Sequence, residues 1–155
     1  MGPFTRVVEG SATSASSTVS LGHDQRRRAR LRVTLADGTV VGIALRRGVV
    51  LRDGDVLADD EGHLLAVRAA EESLSVASTP DAHLLSRAAY HLGNRHVALQ
   101  IEPGRLSYPH DHVLDAMCRE LGLDVREERA PFQPEAGGYA TGQAHAHSHG
   151  DEPHD

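Results

Sequence analysis

The side chain with which this sequence could do chemistry is imidazole, because 155 residues carry 11 histidines against a single cysteine and two methionines. Neutral imidazole is a good ligand for borderline cations such as Ni²⁺, Cu²⁺ and Zn²⁺. His145, His147, His149 and His154 stand in the segment GGYATGQAHAHSHGDEPHD, with Asp151, Glu152 and Asp155 beside them. Their alternation with Ala and Ser differs from the unbroken run of an expression tag. A flexible tract of this kind can wrap its nitrogens around an ion without a prebuilt cage.

A second group, His110-Asp111-His112, follows Pro109 at an expected helix start. These three residues are too close in sequence to share one helical face, so a regular helix would hardly let one ion be gripped by all of them. Asp111 would also favour the positive end of the helix dipole whatever the function. His96 is a lone histidine on an expected strand face opposite the apolar one, where a structural histidine is the simpler interpretation. His91 falls in line with Leu84 and Ala88 and reads as a packing residue. His23, His63 and His83 show no usable spacing.

Cys118 falls on an apolar helical stripe beside Met117 and Leu121, which points to a buried inert thiol. The sequence contains no G-x-S-x-G elbow, H-E-x-x-H helix, phosphate loop or C-x-x-C pair. No catalytic residue is assigned, and an enzyme is not expected.

The elements that must position these histidines fall into two halves. In the first, Leu31, Val33 and Leu35 alternate before Asp37-Gly38, and Val41, Ile43 and Leu45 alternate after it, the mark of a hairpin with a tight turn. Further short runs, Val49 to Leu51, Val56 to Ala58 and Leu64 to Val67, give an all-β reading of residues 1–71. Ser73 to Ser78 reads as a strand, and Pro80 opens a helix that Gly93-Asn94 stops. His96 to Ile101 alternates as a strand, a short strand runs through Leu106 and Tyr108, and Pro109 opens a second helix closed by Gly122. A last strand runs from Leu123 towards Phe132. The order β-α-β-β-α-β over residues 72–136 is the ferredoxin-like plan, making the chain α+β. Residues 137–155 lack the apolar content to offset ordering entropy and read as a mobile tail.

Composition narrows the partners. A formal charge of -6, with all 16 basic residues arginine, argues against nucleic acid, which needs a dense positive surface. A single cysteine, no apolar run of signal-peptide length and no stretch near the roughly 20 residues needed to span a bilayer suggest a cytoplasmic protein off the membrane. Large buried anchors are scarce, with no Trp, two Phe and three Tyr, so a partner subunit is plausible.

Several segments resemble a known family. YHLGNRHVALQI at 90–101, LSYPHDHVLDAM at 106–117, LGLDV at 121–125 and APFQPEAGGYA at 130–140 are similar to the C-terminal domain of the UreE urease accessory proteins. LRVTLADG at 31–38 and RRGVVLRDGDVLADDEG at 46–62 resemble that family's β domain. The resemblance implies a peptide- or partner-binding N-terminal domain and a ferredoxin-like metal domain that forms a homodimer. It further implies a nickel metallochaperone that delivers Ni²⁺ to a urease apoprotein together with an accessory GTPase. On this basis His96 matches the principal ligand, which meets its twin across the dimer, while His110 and His112 match auxiliary ligands and the tail histidines a variable extension. A metal-linked tetramer is a further implied possibility. The tail holds only four histidines, and no cysteine stands near Thr79 and Pro80 as in some members.

Outside that family the same residues would suit a general zinc or copper buffer unconnected to urease. A metallohydrolase using residues 110–112 would lack a third ligand and a general base. Imidazole must be neutral to bind metal, so affinity is expected to fall below a pH of about 6.5.

Overall fold

The computed structural model of the chain describes residues 1–137, which form a mixed α+β structure. The first half contains β1 (Arg6–Val8), β2 (Ser17–Leu21), the one-turn helix α1 (His23–Arg26), β3 (Arg30–Thr34), β4 (Val40–Ala44), β5 (Val56–Ala58) and β6 (Leu64–Ala69). Strands β1, β5, β6 and β2 form one sheet in that order, with β2 parallel to β6. Strands β3 and β4 form the expected hairpin: Gly38 takes φ 87°, and the Asp37 carboxylate accepts from the Thr39 N–H at 2.9 Å. Phe4, Leu21, Ile43, Leu51, Leu57 and Leu65 fill the core between them.

Two expectations for this half fail. Helix α1 interrupts what reads as all-β, and Val49 to Leu51 is not a strand. Leu51 is fully buried, but its N–H donates to the Arg26 carbonyl at 2.9 Å, so the run is apolar because it plugs the core and not because it joins a ladder. Arg26 is only 1% exposed and donates to the carbonyls of Leu21, Leu51 and Phe132. It thereby ties the two halves of the chain together.

The second half runs β7 (Glu71–Ser78), α2 (Ala82–Asn94), β8 (Gln100–Glu102), β9 (Arg105–Pro109), α3 (His112–Leu121) and β10 (Asp124–Pro131). Its sheet has the order β10-β7-β9-β8 with every pair antiparallel. Helices α2 and α3 cover it through Ala88, Leu92 and Cys118, packed on Ala77, Leu106, Tyr108 and Val125.

Both expected helix starts move inward from their prolines. Asp81 caps α2 by accepting from His83 N and Leu84 N, leaving Pro80 outside. Pro109 remains in β9 opposite Leu74, and the ladder continues through His110 N to the Ser73 carbonyl at 3.2 Å. Proline lacks only a donor, so it can end a strand as readily as begin a helix.

The exit of α2 differs most from expectation. Gly93 and Asn94 are helical, and the left-handed residue is His96, at φ 59°. His96 N donates to Gly93 O at 3.0 Å and Val97 N to Leu92 O at 3.3 Å, the paired bonds of a Schellman motif. Helix α3 ends with the same pair, Gly122 N to Arg119 O and Leu123 N to Cys118 O, but there the left-handed residue is a glycine at φ 107°. Residues 96–99 are therefore a helix exit and the strand begins only at Gln100, which corrects the expected strand from His96.

Candidate metal centre

Among the described residues, the junction between β9 and α3 assembles the one cluster that unites histidines singled out from the sequence. Strand periodicity puts Tyr108 and His110 on the same side of β9. Asp111 then turns the chain: its carboxylate accepts from Val113 N at 2.8 Å and Leu114 N at 3.1 Å, so this acid is the N-cap of α3. His112 is the first helical residue and Asp115 lies in the first turn. Because His110 belongs to the strand end and His112 to the helix, the single-face objection does not apply. Their rings meet edge to face with centroids 4.7 Å apart.

His110, His112 and Asp115 each offer a ligand atom, and these atoms lie within 4.8 Å of one another. His110 is partly buried, His112 exposed and Asp115 buried. The Asp115 carboxylate is 4% exposed; one oxygen accepts from the Tyr108 hydroxyl at 2.8 Å and the other lies 3.5 Å from His110 Nδ1. Ser75 Oγ is 3.0 Å from the same nitrogen. Burial, and then the bond to Asp115, holds the Tyr108 hydroxyl far above its ordinary range, so it stays a proton donor. Burial also pushes up the Cys118 thiol beside it, in keeping with an inert cysteine.

His96 joins no such cluster within the described residues. It is exposed at the rim of an open cleft of about 590 Å³, lined from the first half by His23, Arg27 and Leu51 and from the second by His96, Leu99 and Glu135. His91 is partly buried on α2, as expected. His145, His147, His149 and His154 lie outside the described residues.

Sequence reasoning missed the grouping of Asp59, Glu61 and His63, whose ligand atoms also lie within 4.8 Å. Asp59 is fully buried at the turn between β5 and β6 and accepts from Glu61 N, His63 N and His63 Nδ1 at 3.0, 2.8 and 2.8 Å. Burial alone would raise its carboxyl, but these bonds together outweigh burial and lower it. The Asp-x-x-Gly spacing before His63 marks the turn, and turn formation accounts for the grouping.

The described residues thus form an α+β chain whose strand-to-helix junction presents two imidazoles with a buried carboxylate beside them, and imidazole is a ligand type of borderline divalent cations. Family profiles describe the same two stretches: "UreE urease accessory protein, N-terminal domain" matches residues 4–70, and the corresponding C-terminal domain matches residues 72–155. A urease accessory protein UreE of Pseudomonas putida (strain GB-1) is 54% identical over 145 residues, covering 93% of this chain and 86% of that protein. One from Escherichia coli O157:H7 is 50% identical over 150 residues, covering 96% of each, and one from Vibrio parahaemolyticus is 51% identical over 134 residues. The chain belongs to the UreE family of urease accessory proteins.

Proposed function

We propose that this protein is a nickel metallochaperone that serves urease maturation by delivering Ni²⁺ to the urease apoprotein in the cytoplasm. The observation that carries the proposal is the convergence of His110 and His112 beside Asp115 in a chain of the urease accessory family. Within it, residues 1–71 form the partner-binding domain, residues 72–136 a ferredoxin-like metal domain, and residues 137–155 the His-containing tail. The sheet order β10-β7-β9-β8 with α2 and α3 packed on it supports the middle assignment.

Two copies pair through the metal domain so that each contributes His96 to a shared ion. A twofold interface presents one patch twice, which lets a single exposed histidine per chain supply two ligands. The left-handed backbone at His96 supports this role, since a bulky residue in a position that suits glycine calls for a functional reason. His110, His112 and the tail histidines His145, His147, His149 and His154 act as auxiliary ligands. A carrier must release its cargo, and a site of few imidazoles completed by water suits release better than a closed thiolate cage. The accessory GTPase and the urease apoprotein are the receiving partners.

Nickel titration calorimetry on the intact chain, on a chain ending at Gly142, on His96→Ala and on His110→Ala/His112→Ala tests the scheme. The first ion per dimer should weaken in His96→Ala, and stoichiometry should fall in the shortened chain and the double variant. Equal affinity in His96→Ala would remove the bridging role. Tight zinc or copper binding, with no nickel transfer to urease apoprotein, would instead favour a general buffer.

A further inference from the structure

His110 presents two nitrogens to different surroundings. Nδ1 faces inward, 3.0 Å from Ser75 Oγ and 3.5 Å from an Asp115 carboxylate oxygen. Nε2 faces outward, where the nearest acid is Glu127, 3.8 Å away and beyond hydrogen-bond reach. A serine hydroxyl can donate or accept and so leaves the proton's place on the ring open. Asp115 decides it. The nearer carboxylate oxygen is an acceptor facing Nδ1, the other oxygen is already bound by the Tyr108 hydroxyl, and a bare Nδ1 would set its lone pair against that of a buried oxygen 3.5 Å away.

We infer that Asp115 is a positioning residue that keeps the His110 proton on Nδ1 and so presents the Nε2 lone pair outward to the incoming cation. Asp115 acts through His110 and is not itself a ligand. One of its oxygens accepts from Tyr108, the other lies 3.5 Å from His110 Nδ1, and only 4% of the residue is open to solvent. A carboxylate behind an imidazole fixes its tautomer, restrains ring rotation and raises its basicity towards metal, with losses of about 10–100-fold when such a partner is removed. Tyr108 fixes the carboxylate in turn. Helix α3 sets the separation, because the Asp111 cap and the first turn hold Asp115 directly beneath the strand end. This inference rests on the reading of His110 as a ligand, and its decisive measurement is made without metal.

The test is the ¹⁵N and ¹³C NMR spectrum of the His110 ring in metal-free full-length protein at a pH where the ring is neutral, for the parent, Asp115→Ala, Asp115→Asn and Tyr108→Phe. The parent should carry its proton on Nδ1. Asp115→Ala should shift the ring towards the Nε2–H form and weaken Ni²⁺ binding at His110 about tenfold or more. Asp115→Asn, whose amide oxygen can still accept, should restore much of both. Tyr108→Phe keeps the carboxylate and should keep Nδ1–H, which maintains a test should Asp115→Ala fold poorly. An Nε2–H parent, or an Asp115→Ala ring unchanged from the parent, overturns the inference. The expected tautomers with His110 signals unmoved by Ni²⁺ would instead refute the ligand role assigned under the carrier function, while leaving Asp115's hold on the ring intact.

Discussion

Replacing His96 with glycine is expected to stabilise the fold while removing a proposed ligand. The residue sits at φ 59° in the position where α3 uses Gly122. For a residue with a Cβ the left-handed region costs roughly 1–2 kcal/mol. Glycine escapes that cost but brings more freedom to the unfolded chain, which offsets about 0.5–1 kcal/mol of the gain. The balance favours His96→Gly by about 0.5–1 kcal/mol, or about 1–4 °C in Tm for a chain of this length. Alanine keeps the Cβ and therefore the strain, so His96→Ala should remain close to the parent. The assay is thermal and urea unfolding of metal-free protein in chelator, at one protomer concentration so that association does not shift the midpoint. A glycine variant no more stable than the alanine variant would refute the strain argument. Nickel affinity should fall in both variants alike, so stability and binding would move in opposite directions only in glycine.

Arg26→Met should cost about 2–4 kcal/mol in urea denaturation, since it strips donors from the carbonyls of Leu21, Leu51 and Phe132 together; a near-neutral result would mean that those carbonyls find other partners. Burial, and then the charges of Arg26 and Arg27, holds the His23 imidazole below its ordinary pKa. The unfolded chain therefore binds that proton more tightly, so stability is full above a pH of about 6.5 and declines as pH falls from there towards the folded value. His23→Gln should flatten this slope in a series of unfolding curves. The Cys118 thiol, buried and raised, should label with maleimide far more slowly in native protein than in urea.

Where local chemistry decides the structure, the sequence was readable. Asp37-Gly38 made the hairpin because the aspartate side chain and the glycine backbone together form the turn. The element order from Glu71 to Pro131 followed from apolar period together with the prolines and glycines that punctuate it. Proline and glycine were less reliable, since each has two uses. Pro109 ends a strand where a helix start was expected, and Gly93 is an ordinary helical residue while His96, three positions on, makes the reversal. That misassignment put His96 on a strand face, when it stands at a helix exit. The pairing of His110 with His112 was obscured by treating the three residues as one helix, when Asp111 divides strand from helix. Asp115 carried no separable signal: a buried acid in a helix's first turn looks in sequence like any residue suited to the dipole. Its meaning comes from Tyr108 and His110, contributed by the neighbouring strand.

The cap at Asp111 allows the electrostatic pull of this corner to be adjusted independently of its shape. Asparagine accepts the same two backbone bonds about as well as aspartate. Exchanging one oxygen for an amide nitrogen would remove a full negative charge next to both imidazoles and leave the turn, the helix and the ring spacing as they are. Attraction for a cation and the geometry that receives it are therefore separable here, and variation at one position could tune the first without disturbing the second.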